Sequence, residues 1–355
     1  GGGVNDTRLR LAFGGLHPDR MRSLVAANGL HATLAGLLSG RLETTARVRE
    51  AIAVPARERL GQLAAAGIQV LFRDDDGYPR HLATMPDAPD VLFVRGRLPR
   101  DRGVAVIGSR RSTSYGRRIA ETYGESIAAA GWALVSGLAR GIDGAAHRGT
   151  VAAGGIGVAV LGSGIDVMYP REHDDLAREL IAGGGAVISE SPPGTPPEGW
   201  RFPPRNRVIS GLAGVVVVVE ATVNGGALIT AEAALRHGRQ IFAVPGDVGR
   251  VTSEGCNLLI RDGAYPVLDA TDLIESLELA LGPAPLSVEP AEVPFLDEAD
   301  RFVADLIAAG VEGDDLIAEM GDSPGMALAR LGSLELRGVI AQSSPGRYFV
   351  ARTGR

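Results

Sequence analysis

Residues 104–141, VAVIGSRRSTSYGRRIAETYGESIAAAGWALVSGLARG, decide the fold. Val104 to Ile107 is an apolar run with no polar alternation, stopped by Gly108-Ser109. A helical stretch runs on to Ala130, Gly131 ends it, and a second apolar run, Trp132 to Val135, stops at Ser136-Gly137. Strands without a period-two pattern are buried on both faces, and a helix between two of them is the crossover that a parallel pair requires. The pattern continues in Gly157 to Leu161, Ala186 to Ile188, Val215 to Val219 and Gln240 to Val244. Residues 103–268 therefore predict an α/β fold, a Rossmann-like, doubly wound, mostly parallel sheet.

On the N-terminal side, residues 67–102 hold an extended lead-in to this domain: strand-like Ile68 to Phe72, a turn at Asp76-Gly77-Tyr78-Pro79, and Val91 to Val94. Residues 1–66 read as a small domain of short helices punctuated by glycine. Apolar residues recur at helical spacing in Met21-Leu24-Val25 and Leu34-Leu37-Leu38, and Val54-Pro55 sits near the start of a helix running to Ala66. On the C-terminal side, Pro283, Pro285, Pro290 and Pro294 mark a linker at 283–294. Residues 295–355 then give a helix from Phe295 to Ala309, a shorter one from Asp314 to Met320, and a third carrying Leu328, Leu331, Leu334 and Leu336. A hairpin turning at Ser344-Pro345-Gly346 follows, the pattern of a winged helix. The expected division is 1–66, 67–282, 283–294 and 295–355.

The 355 residues have an ordinary globular composition, 45% hydrophobic and 22% charged. The longest apolar stretch, Ala213 to Val219, falls far short of the roughly 20 residues of a membrane-spanning helix, so no membrane partner is expected. One cysteine, Cys256, makes no internal disulfide, and the six histidines show no zinc-ligand spacing. A reducing, cytoplasmic setting is the expectation. No leader pattern opens the chain, but it starts at Gly1, so a trimmed segment stays open.

All 36 basic residues are arginine, so every cationic contact is a planar guanidinium fork suited to phosphate. Residues 1–102 carry 15 arginines against 11 acids, residues 103–265 carry 15 against 15, and residues 266–355 carry 6 against 16. The C-terminal stretch, at −10, is a poor partner for DNA and a better one for protein.

The strand ends carry the chemistry. Gly108-Ser109-Arg110-Arg111 feeds a helix N-terminus, whose free amides and dipole suit a phosphate. This is not the GxGxxG of dinucleotide enzymes. Ser136-Gly137-Leu138-Ala139-Arg140-Gly141 brings two glycines to the next strand end, with Asp143 and His147 just beyond. For these two the plainer readings are a helix cap and a core histidine. Gly162-Ser163-Gly164 leads to Tyr169-Pro170-Arg171, and Asn224-Gly225-Gly226-Ala227 opens a later helix. The block Arg201-Phe202-Pro203-Pro204-Arg205-Asn206-Arg207 combines guanidinium forks with an aromatic face, as a single-strand groove requires; arginines salt-bridged at a helix start is the alternative. These turns share one edge of the sheet and point to an extended anionic ligand along it. No catalytic triad, P-loop, metal cluster or cofactor fingerprint is present.

The runs GSRRSTSYG, SGLARGIDGAAH, AVLGSGIDVMYP, SESPPGTPP, RFPPRNRVISGL, VVVEA, GGALITAEAALRHGRQIFAVPG and SEGCNLLIRDGA, in this order over about residues 76–268, strongly resemble the DprA/Smf (DNA processing protein A) family. The flanks suit that family's helical SAM-like N-terminal domain and C-terminal winged helix. The resemblance implies a non-enzymatic protein that binds and protects single-stranded DNA, dimerises through the Rossmann-like domain, and loads the RecA recombinase in natural transformation, displacing single-strand-binding protein. By motif matching it assigns phosphate contact to Arg110, Arg171, Arg205 and Arg207, with Ser109, Gly137 and Gly141 lining the pocket. Arg140, Phe202 and Asn206 complete the expected DNA-binding set. Two departures touch ligand geometry: His173 where the family often has asparagine, and Asn224-Gly225-Gly226-Ala227 where it often has a serine-bearing turn. The rival readings are a nucleoside-monophosphate phosphoribohydrolase, whose PGGxGTxxE loop is not met at residues 224–232, and a nucleotide-sensing module.

Overall fold

The computed structural model describes residues 2–285, 298–308, 310–336, 339–344 and 346–350. Five short helices open the chain: α1 (Gly2–Phe13), α2 (Pro18–Asn28), α3 (Leu30–Ser39), α4 (Ala46–Ala53) and α5 (Ala56–Ala65). Strand β1 (Gln69–Phe72), helix α6 (Arg80–Ala83) and strand β2 (Val91–Gly96) lead into β3 (Gly103–Ile107), α7 (Ser114–Ala129), β4 (Leu134–Ser136), α8 (Ile142–Ala152) and β5 (Gly157–Leu161). Then come α9 (Asp174–Ala182), β6 (Ala186–Ser189), α10 (Phe202–Leu212), β7 (Ala213–Val218), α11 (Gly226–Arg236), β8 (Gln240–Ala243), α12 (Val251–Arg261), β9 (Tyr265–Pro266) and α13 (Ala270–Leu281).

Nine strands form one sheet in the order β1-β2-β6-β5-β4-β3-β7-β8-β9. From β6 to β9 every pairing is parallel, whereas β1 and β2 add an antiparallel edge against β6. The stretch expected as a lead-in is thus part of the sheet. The short β9, which lacks an apolar run, has no counterpart in the sequence reading.

Alternate residues of the central strands feed opposite cores, as the period of a strand dictates. Ala105, Ile107, Val216 and Val218 pack with Leu82, Val208 and Ile209 on one face. Val104, Val106, Val215 and Val217 pack with Tyr123, Ile127 and Trp132 on the other. A third cluster joins Leu9 and Leu63 of the N-terminal helices to Phe93, Ala159, Leu161 and Leu180, with the rings of Phe13 and Phe93 edge to face. The N-terminal helices are therefore seated directly on the sheet.

Near the C-terminus are α14 (Glu298–Ala308), α15 (Gly313–Glu319), α16 (Pro324–Leu336) and an antiparallel hairpin, β10 (Ile340–Ser344) with β11 (Arg347–Val350). Leu331 and Leu334 of α16 are buried with Val303, Ile307 and Leu316, while Leu328 points outward. The linker expected at 283–294 lies, from residue 286 on, outside the described residues, as do residues 295–297 of the first expected helix and Pro345 of the turn. Among the described residues no helix is long and apolar enough to cross a membrane.

Two buried histidines give the fold an acid limit. Burial pushes His147, with His173 nearby, down to about 3, and pushes His81, near Arg102 and Arg239, down to about 4. In the unfolded chain both titrate near 6.5. As pH falls, the unfolded state takes up protons first, so the stability these residues contribute is complete above about pH 6.5 and is lost toward pH 4. Each protonation linkage is worth about 1.4 kcal/mol per pH unit. Urea titrations should therefore show about 3 kcal/mol less stability at pH 5 than at pH 7, and His147→Phe should flatten that slope.

Candidate nucleic-acid interface

Strand order reverses at β3: β4, β5 and β6 lie on one side, and β7, β8 and β9 on the other. The crevice at the carboxyl ends of β3 and β7 is where open α/β sheets bind ligands. Here a side chain of the chain itself fills it. Glu220, at the end of β7, is buried, and its two carboxylate oxygens accept hydrogen bonds from the Thr113 amide (2.8 Å) and the Thr113 hydroxyl (2.6 Å). The Thr113 hydroxyl in turn accepts from the Gly116 amide at 3.0 Å. The α7 N-terminus, expected to receive a phosphate, is thus already closed by an internal anion. Gly116 is glycine for a steric reason, since a Cβ there would collide with the Glu220 carboxylate.

The exposed cationic surface lies beside this crevice, above β3, β4 and β5. Arg110 projects from the β3 turn with its guanidinium 4.7 Å from the centre of the Phe202 ring. Tyr169, exposed, approaches the same ring at 5.7 Å between centroids. Phe202 rests on bare backbone: a Cβ on Gly162 would come within 2.8 Å of the ring. Arg171 is exposed next to Tyr169. Arg140 is exposed too and donates to both oxygens of Glu172, at 2.8 and 2.7 Å. An exposed pair of this kind contributes little to stability and exchanges partners readily. Three guanidiniums and two rings thus share one solvent-facing surface.

Arg205 and Arg207, expected to contact phosphate, stand differently. Both are only 6% exposed. Arg205 donates to the carbonyls of Gly137 (2.9 Å) and Val160 and, through Nε, to Oδ1 of Asn206 at 3.2 Å. Arg207 forms a fork with Glu190, both bonds 2.8 Å. The reason is the course of α10, whose residues 205–212 are all buried against the sheet, and a guanidinium carried into a core needs internal acceptors. The salt-bridged alternative is the one the structure takes for this pair, and Asn206 is drawn inward with them.

Arg205 faces Asp143. A Cβ on Gly137 would lie 2.7 Å from both the Arg205 Nη2 and the Asp143 Oδ2, so the two side chains flank that point. Asp143 does not cap α8 through its side chain; its Oδ2 accepts from the Gly137 amide at 3.1 Å. Burial lowers the Arg205 pKa to about 10, opposed by Asp143, and burial raises that of Asp143, opposed by Arg205. The guanidinium is still charged at neutral pH. Gly137 therefore leaves room for a buried charge cluster, and Gly141, at φ +81°, lets the β4 turn pass against the Ser109 carbonyl. The Ser109 amide donates to the Glu220 carbonyl at 2.7 Å, and its hydroxyl accepts from the Arg111 amide at 3.1 Å. Ser109, Gly137 and Gly141 shape the turns from which Arg110 and Arg140 project. His147 is fully buried, and His173 Nδ1 meets the Leu138 carbonyl at 2.8 Å.

A doubly wound sheet whose switch point is closed by its own carboxylate, with an arginine and aromatic platform beside it, defines an α/β protein built for an extended polyanion, not for a dinucleotide. The chain belongs to the DNA recombination-mediator protein A family, which residues 69–278 match. It is 40% identical over 289 residues to protein Smf of Escherichia coli, covering 79% of this chain and 76% of that protein. With DNA processing protein DprA of Streptococcus pneumoniae it shares 40% identity over 206 residues, 58% of this chain and 72% of the relative. The crystal structure of that DprA superposes with a TM-score of 0.63 at 32% identity, covering 75% of this chain and 95% of the other. DNA processing protein A of Helicobacter pylori, whose structure is described in terms of its single-stranded-DNA binding mode, superposes with a TM-score of 0.53 at 25% identity, over 59% of this chain and 95% of that one.

Proposed function

We propose that this chain binds single-stranded DNA across the carboxyl ends of β3, β4 and β5, without catalysis, and delivers the strand to a RecA recombinase during natural transformation. The observation that carries the reading is the Arg110–Phe202–Tyr169 platform, flanked by Arg171 and Arg140. Guanidiniums meet phosphates and ring faces meet unstacked bases; a duplex keeps its bases stacked and offers such rings nothing. The Helicobacter pylori relative, described as single-stranded-DNA-binding, supports the ligand.

Phosphate contact in this reading falls to Arg110, Arg171 and Arg140, and base stacking to Phe202. Ser109, Gly137, Gly141, Arg205, Asn206 and Arg207 position them from beneath. We further read the chain as a cytoplasmic homodimer joined through the Rossmann-like domain, where Val248, Val251 and Leu268 stand exposed. The acidic C-terminal unit is read as a winged helix that meets protein, not DNA. Anisotropy with a labelled strand and its duplex should show preference for the single strand. Adding the protein to a strand covered with single-strand-binding protein should then speed RecA filament assembly. Equal affinity for duplex would contradict the first claim, and an unchanged assembly rate the second.

A further inference from the structure

Between the N-terminal helices and the sheet lies a cavity of about 110 Å³, open toward the Phe202 platform. One wall is apolar and comes from Leu16, Met21 and Val25. The opposite wall comes from α10 and the ends of β5 and β6. Gly162 and Arg205 border both the cavity and the platform, since Gly162 supports the Phe202 ring and the Arg205 guanidinium lies 5.8 Å from its centre. A chain lying on Phe202 is therefore one short step from the opening.

The arginines of the lining are matched by carboxylates: Arg8 by Asp74, Arg22 by Asp19, Arg201 by Glu198 at 3.0 Å and Arg207 by Glu190 at 2.8 Å. Such a lining offers little net attraction to a phosphate. It does hold hydrogen-bonding capacity, because Arg22 Nη1 and Arg207 Nε are buried N–H donors with no acceptor among the described residues. Buried donors left unpaired are costly, so a guest carrying acceptors is favoured. Apolar walls, unused donors, near-neutral charge and room for one ring system together describe a flat, neutral, acceptor-bearing heterocycle. At the rim stands Trp200, 38% exposed, with the Arg201 guanidinium 4.1 Å from its ring centre and the His17 ring at 5.4 Å.

We propose that this cavity receives a single nucleobase, turned out of a DNA strand that runs over Phe202, with Trp200 at its threshold. The N-terminal helices then form part of the DNA site, a role that no motif of the sequence assigns to them. This rests on the single-stranded-DNA reading above, and the test separates the two. Trp200 and Trp132 are the two tryptophans, and Trp132 is 3% exposed in the core. The emission difference between wild type and Trp200→Phe therefore isolates Trp200.

The probe is an oligothymidylate of about ten nucleotides, within the usual range of single-strand site sizes, compared with the same strand carrying abasic residues. Anisotropy reports binding, and tryptophan emission reports the base. The oligothymidylate should quench the Trp200 emission and the abasic strand should not. Trp200→Ala, and Val25→Phe, which fills the cavity, should each weaken binding about 5- to 100-fold, the range for loss of one stacked base. Circular dichroism checks that both variants fold. Arg110-dependent binding with unchanged Trp200 emission and neutral variants would overturn the inference while leaving the DNA reading intact, as would equal quenching by the abasic strand. No binding of either strand would remove both.

Discussion

Arg205→Ala will lower folding stability by about 3–5 kcal/mol, the cost of leaving a buried charge without its partner. The variant strands the fully buried Asp143 and removes the donor to the carbonyls of Gly137 and Val160, which sit at the ends of β4 and β5. Urea unfolding should show the loss directly. Arg205→Lys should recover only part of it, because a single ammonium cannot reproduce a fork that spans two carbonyls and the Asn206 oxygen. By contrast, Arg110→Ala removes an exposed side chain and should stay within about 0.5 kcal/mol of wild type. A folded, fully stable Arg205→Ala that had lost only DNA affinity would restore the sequence expectation that Arg205 touches phosphate.

Phe202→Ala should cost about 1–3 kcal/mol of single-strand affinity, the worth of one stacked base. The ring carries no charge, so the dependence of log K on log salt should keep its slope. Affinity falling at constant slope is the signature of lost stacking, and it distinguishes this variant from any arginine variant. Because Phe202 also packs over Gly162 and beside Tyr169, unfolding should be measured in parallel. A drop in affinity accompanied by an equal drop in slope would mean that the ring acts only by holding Arg110 in place.

The sheet was legible because its strands are short, apolar and flanked by glycine turns. Val104 to Ile107 and the run ending at Val219 read as doubly buried, and they are. What periodicity could not show is the antiparallel edge of β1 and β2, whose place against β6 is a long-range pairing, or β9, two residues with no apolar run. At the site, the resemblance and the motif spacing together selected the right turns but not the direction of each side chain. Arg110, Arg171, Arg205 and Arg207 look equivalent as letters. Their difference arises because α10 carries residues 205 and 207 into the core, where Gly137, Val160 and Glu190 receive them.

Glu220 shows the same limit from the other side. In the sequence it is one acid at the end of a valine run. Only the topology reveals that β7 lies next to β3, so that this carboxylate reaches Thr113 and occupies the position where a phosphate would sit. Tyr169 and Trp200 went unassigned for a related reason. Each is an isolated aromatic, and its value depends on the ring or cavity it stands beside. The neighbouring Pro170 and Arg201 drew the eye to the right segments without revealing which face they present.

The central claim is that a single strand lies over Arg110 and Phe202. It is tested most directly by titrating a labelled single-stranded oligonucleotide with wild type and Arg110→Ala across a salt series. For single strands, log K changes by about −0.7 per log unit of salt for each phosphate neutralised. The account predicts weaker binding by Arg110→Ala with a slope shallower by about 0.7, at unchanged thermal stability. Identical affinity and slope for the two proteins would place the DNA elsewhere and contradict the account.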